Sequence, residues 1–303
     1  MKTSAGCLIQ DFSQFTSGIL DISDLMVLDF ASLILLSVGL IGTGAIAGLL
    51  AGLLGVGGGI VIVPVLYNIF TFLEIQEGLR MHLAVGTSLA TIIPTAISSA
   101  RAHHKRGAID RTLLVRWSPW ICTGAIIGTV VANQLSGRGL ALLFAVIALL
   151  VSIDIIRQDN FADSNTRISE ETALPSTLIQ RIIASLVGSF SAMIGIGGGT
   201  LTVPVLNAWR YPIHKAIGTS AVFGLLISLP ATIGYLLGGS ETPAKLPLTV
   251  GYVNLLSVFL ISVATIYTAP LGTRIAHASK PRILRLLFAL FLAVTALRIL
   301  VQM

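Results

Sequence analysis

Two short glycine clusters are the residues most able to do chemistry in this 303-residue sequence. The first lies in "GVGGGIVIVP", residues 55–64, and the second in "GIGGGTLTVP", residues 195–204. Glycine weakens a helix by roughly 1 kcal/mol relative to alanine, so a cluster inside an apolar segment indicates a bend. A helix that begins at such a bend turns unpaired N–H groups and the positive end of its dipole towards the protein interior. That arrangement suits a bound anion.

A second repeated motif supplies hydroxyl groups inside apolar segments. "AVGTS" at residues 84–88 corresponds to "AIGTS" at residues 216–220. These hydroxyls could donate to an oxyanion, or they could bond the carbonyl of the preceding helical turn. The glycines could likewise serve close helix packing. Because both motifs recur at matched positions, we predict a substrate-binding site. It comprises Gly55, Gly57, Gly58, Gly59, Thr87, Ser88, Gly195, Gly197, Gly198, Gly199, Thr219 and Ser220.

The composition is that of a polytopic membrane protein. The chain is 54% hydrophobic and only 11% charged, with a mean hydropathy of +0.92. Apolar runs long enough for a bilayer crossing, about 20 residues, follow one another beyond residue 29. The basic pI of about 9.7 is attributed to Lys and Arg in cytoplasmic loops, which set topology. We therefore predict a multi-pass protein of the cell (plasma or inner) membrane, with no nucleic acid as partner.

The chain is predicted to be an internal duplication. Besides the two motifs above, "LLFAVIAL" at residues 142–149 corresponds to "LLFALFLA" at residues 286–293, in the same order. We divide the chain into a polar N-terminal extension (1–29), membrane repeat 1 (30–157), a cytoplasmic linker (158–176) and membrane repeat 2 (177–303).

The charges favour an inverted second repeat. If the chain doubles back at each glycine cluster, 14 Lys and Arg fall inside and four outside, with Arg298 omitted; repeats of the same orientation divide them 10 to 8. The segments after the clusters, 60–73 and 200–209, would be helices of about 21 and 15 Å, short of a ~30 Å core. We predict an all-α polytopic membrane protein of two inverted repeats, each a Gly-bent helical hairpin plus three transmembrane helices. Whether the bends are re-entrant or part of full crossings stays open.

The remaining polar residues suggest no catalytic or metal chemistry. The 13 acidic residues lie outside the span interiors, which argues against a cation carrier. His103 and His104 are expected in a solvated loop, while His82 and His214 fit span ends or a pH-sensing gate. Motifs of hydrolases, zinc proteases and P-loops do not occur. We therefore predict no enzyme activity, no cofactor and no metal.

With "GxGGG…VPVL" and "GTS" paired and "AHHKRGAID" between them, the chain resembles the sulfite exporter TauE/SafE family of four-TMS-repeat anion permeases over residues 40–301. The family's usual "GHYRRG" reads "AHHKRG" here. The resemblance implies a transporter of small sulfur-containing anions such as sulfite or sulfoacetate, with the bilayer and the anion as partners. A passive anion channel, an importer of another anion and a non-transporting accessory protein remain alternatives. A homo-oligomer is left open.

Overall fold

The protein is almost entirely helical. A computed structural model describes residues 30–54, 58–161, 174–239, 246, 248–278 and 282–301. These residues form ten helices and one two-stranded hairpin, and six of the helices are long and apolar enough to cross a membrane. The all-α membrane fold class is therefore confirmed. The predicted extension (1–29), most of the predicted linker, and Gly55 and Gly57 lie outside the described residues.

The first half contains five helices. They are α1 (Phe30–Leu54), α2 (Gly59–Phe72), α3 (Glu77–His104), α4 (Arg111–Gln134) and α5 (Gly137–Phe161). α2 has 14 residues, about 21 Å, and cannot cross a ~30 Å core. It begins beside Ala47, in the interior of α1: a Cβ added to Gly58 would lie only 2.8 Å from the Ala47 carbonyl oxygen. The chain thus doubles back after α1, and α2 starts part-way along it.

The second half repeats this order. It contains α6 (Thr177–Ile194), α7 (Gly199–Ala208), α8 (Ile213–Gly238), α9 (Leu255–Ala278) and α10 (Arg282–Val301). α7 has only ten residues, about 15 Å. Before α9, the strands β1 (Thr249–Val250) and β2 (Val253–Asn254) pair antiparallel, a feature that the sequence did not suggest.

Helix pairs pack closely through glycine, and the contacts repeat between the halves. α1 runs parallel to α9, with Gly44 against Ile261 and Gly52 against Ala269. α4 runs parallel to α6 in the same way. The correspondence extends to single residues: a Cβ on Gly272 would overlap the carbonyl oxygen of Leu49, and one on Gly128 would overlap that of Ser189. The two halves therefore use the same kind of close helix contact.

The corresponding helices α3 and α8 run antiparallel. Gly86, near the start of α3, lies against Tyr235, near the end of α8, and Ile92 lies against Gly224. Inverted repeats require antiparallel packing of corresponding helices, whereas repeats of the same orientation would place α3 and α8 parallel. This geometry supports the inverted arrangement, which stays a prediction until topology is measured.

Cysteine labelling tests the orientation. In a background of Cys7→Ser and Cys122→Ala, single cysteines would replace the exposed Gln76, Lys105 and Lys215. We expect a membrane-impermeant maleimide added outside intact cells to label position 76 and to label 105 and 215 only after permeabilisation. Labelling of 215 from the same side as 76 would restore repeats of the same orientation.

The outer surface of the helices is apolar. Large side chains such as Val130 on α4, Leu150 on α5 and Phe259 on α9 are more than half exposed. Buried positions, in contrast, hold many small and hydroxyl residues. An apolar exterior of this kind is suited to lipid rather than water, in agreement with a multi-pass membrane protein.

Candidate functional site

The two glycine bends meet where α3 crosses α8. Gly58, with φ +78°, is the N-cap of α2, and Gly195, with φ +71°, ends α6. The hydroxyl of Ser88 on α3 donates to the Gly195 carbonyl oxygen at 2.9 Å and lies 3.5 Å from the Gly59 carbonyl oxygen. Ser88 therefore joins the bends of the two halves.

The main chains of the two bends are in direct contact. A Cβ on Gly59 would overlap the carbonyl oxygen of Gly195, so only glycine fits there. On the other side of the crossing, Gly198 packs against the backbone of Phe223 and Gly224, whose nearest atoms would lie 2.8–2.9 Å from a Cβ added to Gly198. The bends therefore meet in the described residues, whereas binding of a ligand there remains a prediction.

Two short helices begin at this meeting point. α2 starts at Gly59 after Gly58, and α7 starts at Gly199 after Gly198, and neither N-cap makes a side-chain hydrogen bond. Gly197 contributes its carbonyl oxygen to the first turn of α7, accepting from the Thr200 N–H at 3.3 Å. Uncapped first-turn N–H groups and the positive dipole ends of both helices therefore lie at the centre of the protein.

Three hydroxyl groups beside the second bend are buried without a partner in the described residues. They belong to Ser191 in the last turn of α6 and to Thr200 and Thr202 at the start of α7, each no more than 3% exposed. Leaving such a group unpaired costs about 1–3 kcal/mol, so it usually binds water or a ligand. These three residues were not among the predicted site residues. For two of them the sequence held a signal, since "GTLTV" at residues 199–203 has threonines where "GIVIV" at residues 59–63 has isoleucines.

The threonines of the "GTS" motifs hold the starts of other helices. Thr87 Oγ1 accepts from the Asn254 N–H at 3.0 Å, and Thr219 Oγ1 accepts from the Asp110 N–H at 2.9 Å. In the second motif, Ser220 Oγ donates to the Ile217 carbonyl oxygen of its own helix, α8. The threonine hydroxyls therefore have structural partners in this state of the protein.

The glycines of the same motifs make room for these contacts. A Cβ on Gly86 would overlap the carbonyl oxygen of Tyr252, and a Cβ on Gly218 would overlap that of Ala108. Tyr252 lies two residues before Asn254, and Ala108 lies two residues before Asp110. The N–H groups of Asn254 and Asp110 are the ones that donate to the threonine next to each glycine. Glycine followed by threonine thus positions the turn before α9 in one half and the turn before α4 in the other.

Asp110 caps α4 and is held ionised. Its carboxylate accepts from the N–H groups of Thr112 and Leu113 and from the Tyr211 hydroxyl. Burial acts to raise the pKa of Asp110, but these hydrogen bonds and nearby Lys215 outweigh it and hold that pKa below its usual value. Its stabilising contribution is therefore complete at neutral pH and is lost only as the pH falls below about 4.

Removing the Thr219 hydroxyl should destabilise the protein. In Thr219→Val the Asp110 N–H loses its acceptor, at a cost of about 1–3 kcal/mol. We expect the thermal midpoint in detergent to fall by about 2–4 °C per kcal/mol. Thr123→Val is the control, since the exposed Thr123 hydroxyl bonds only its own helix. An equal shift in both variants would contradict the anchoring role.

The histidines occupy different environments. His82 is buried, and its ring nitrogens lie 3.2 Å from Gly78 O and 3.1 Å from Ala132 O, which fixes the ring between α3 and α4. The expectation that His103 is solvated is wrong: it is 1% exposed, with Nε2 3.2 Å from Gly52 O, because α3 extends to residue 104. His104 and His214 are exposed.

The chain matches one known protein family over most of its length. The family model of the sulfite exporter TauE/SafE matches residues 40–299, which include both bends, both "GTS" motifs and all ten helices in whole or part. The chain belongs to the sulfite exporter TauE/SafE family. It is therefore a multi-pass membrane transporter by family, and no solved structure matches it significantly.

Relatives of this TauE/SafE chain carry transporter names. It is 33% identical over 254 residues to a probable membrane transporter protein of Haemophilus influenzae, covering 84% of this chain and 94% of the relative. It is 29% identical over 277 residues to a probable membrane transporter protein of Methanocaldococcus jannaschii, covering 89% of this chain and 97% of the relative. These matches span nearly the whole relatives, so the shared TauE/SafE architecture includes both repeats.

Proposed function

We propose that this protein is a secondary carrier of a small sulfur-containing oxyanion, such as sulfite or sulfoacetate, in the cell membrane. The observation that carries the proposal is that the uncapped start of α2 at Gly59 contacts Gly195, which lies in the second bend four residues before the uncapped start of α7 at Gly199. Two positive dipole ends at neighbouring bends favour a negative ligand. The choice of a sulfur anion rests on the family name.

The hydroxyl groups give the site polarity without charge. Ser191, Thr200 and Thr202 could donate hydrogen bonds to oxyanion oxygens, which would satisfy groups that have no partner among the described residues. The acidic side chains that the structure describes lie elsewhere: in the turn before α3 and at its first residue, before α4, and towards the end of α5. An anion at the bends therefore meets donors and no carboxylate.

Transport requires the two bends to separate. Gly59 and Gly195 touch in this structure, which leaves no room between their main chains. α3 and α8 come from different repeats and pack on each other, so separation of the bends requires one repeat to rock against the other. Opening alternately to each side is the mechanism expected of carriers with inverted repeats.

Flux into liposomes tests the proposal. The purified full chain is reconstituted, and uptake of ³⁵S-sulfite is measured against external concentration, with unlabelled sulfite inside for counterflow and with acetate as a competing anion. Saturable uptake, accelerated by internal sulfite and resistant to acetate, supports a sulfur-anion carrier. Unsaturable conductance would indicate a channel, and competition by acetate would indicate a carrier of another anion. No flux of any anion would indicate an accessory protein. Each of these three results would overturn the proposal.

A further inference from the structure

A groove on the outside of the protein lies between the C-terminal halves of α3 and α9. Its volume is about 650 Å³. One end is apolar and the other is cationic. The apolar end is lined by Pro94, Ile97, Ile266 and Pro270, and the cationic end by Arg101, Lys105, Arg106 and Arg274.

The four cations have no anionic neighbours in the described part of the chain. No acidic side chain lines the groove, and none of the four forms an ion pair there. All four side chains are exposed, and Arg106 donates only to the Ala102 carbonyl oxygen of its own helix. Some positive charge at the ends of α3 and α9 would balance their helix dipoles. That role explains the charges but not the apolar groove that continues from them.

The groove faces away from the glycine bends. On α3, Ile92 points to Gly59, and at 3.6 residues per turn Pro94 and Arg101 lie about half a turn from it. On α9 the residues of the groove share the face of Phe259 and Tyr267, which are 65% and 75% exposed. The opposite face of α9 packs on α1. The groove therefore opens to the surrounding lipid and not to the proposed transport site.

We propose that this groove binds one acidic phospholipid, with its phosphate at Arg101 and Arg274 and an acyl chain along Ile266 and Pro270. A phospholipid joins an anionic group to a long apolar chain, which matches a cationic end continuous with an apolar one. Basic pockets between transmembrane helices at the cytoplasmic side are suited to anionic headgroups. The groove lies at the cytoplasmic end in the orientation inferred above. This assignment does not depend on the transported substrate.

Native mass spectrometry of the full chain in delipidating detergent tests the site. Dioleoyl phosphatidylglycerol and dioleoyl phosphatidylcholine are titrated separately, and the dissociation constant of the first bound lipid is measured. We expect phosphatidylglycerol to bind more tightly, and Arg101→Gln/Arg274→Gln to weaken it by about tenfold or more. Arg111→Gln/Arg116→Gln removes the same charge from exposed positions of α4 outside the groove and should change binding less than about twofold.

A second variant separates a lipid from a free anion. Ile266→Gln changes the apolar wall, where this side chain is 41% exposed, and leaves the cations in place. This substitution should weaken the binding of phosphatidylglycerol but not the binding of glycerol phosphate. Equal affinity for the two lipids, or equal loss in the α4 control, would overturn the assignment. Binding of glycerol phosphate as tight as that of the lipid would identify a site for free anions instead.

Discussion

Gly59→Ala is expected to lower saturable anion flux by about tenfold or more while the protein still inserts. The added Cβ would overlap the carbonyl oxygen of Gly195 on the facing bend, and backbone cannot move aside as a flexible side chain can. Overpacking of this kind costs about 1–3 kcal/mol. It also changes the distance between the two helix starts, on which the proposed anion site depends. The measurement is the initial rate of sulfite uptake, corrected for reconstituted protein.

Gly224→Ala is the matched control for this experiment. Gly224 lies at the same crossing, but a Cβ there would be 3.6 Å from its nearest neighbour, the Gly198 nitrogen, which is an ordinary contact. We expect its flux to stay within about twofold of the parent, and size-exclusion profiles of both variants to match the parent. Normal transport by Gly59→Ala, or equal loss in both variants, would exclude the bends as the transport site.

The sequence predicted the bends because their signal is local. Four glycines within five residues of an apolar segment indicate a break wherever the fold places them, and the duplication indicates a partner. The helix order and the short arms after each cluster follow from that signal, and the structure has both. The direct contact between Gly59 and Gly195 was not predicted, because it depends on how the two halves pack together.

The roles of the "GTS" hydroxyls depended on packing that the sequence does not show. Thr87 bonds the Asn254 N–H and Thr219 bonds the Asp110 N–H, partners 167 and 109 residues away. Nothing in "GTS" itself distinguishes a hydroxyl that accepts from a distant helix start from one that donates to a ligand. These two hydrogen bonds could have been predicted only by noticing that Asp110 and Asn254 occupy corresponding positions just before a helix in the two halves.

The groove could not be predicted from the sequence for a similar reason. "ARAHHKR" indicates a cytoplasmic loop, and its positive charges were fully explained by topology. Their position became informative only when the structure placed the end of α9 beside the end of α3, which brings Arg274 and Arg101 to the same groove. The neighbour of a helix in space is decided by shape and close approach rather than by any motif in the helix's own sequence.

Gly272→Ala and Gly128→Ala are expected to be among the most destabilising conservative substitutions in this protein. Each added Cβ would overlap a backbone carbonyl oxygen of the adjacent parallel helix, that of Leu49 or Ser189. The helices would have to move apart along interfaces that pack through small residues, at about 1–3 kcal/mol. We expect each thermal midpoint in detergent, followed by tryptophan fluorescence, to fall by about 2–12 °C.

Gly42→Ala distinguishes steric overlap from helix propensity. Gly42 lies within α1, but a Cβ there meets nothing within 4 Å. Alanine is the better helix former by about 1 kcal/mol, so this variant should be neutral or more stable, opposite in sign to the other two. Because the Leu49–Gly272 contact corresponds to the Ser189–Gly128 contact, the thermal midpoints of the two destabilising variants should fall by similar amounts. A large loss in only one of them would mean that the two halves do not share one packing scheme, and no loss in either would contradict the close approach itself.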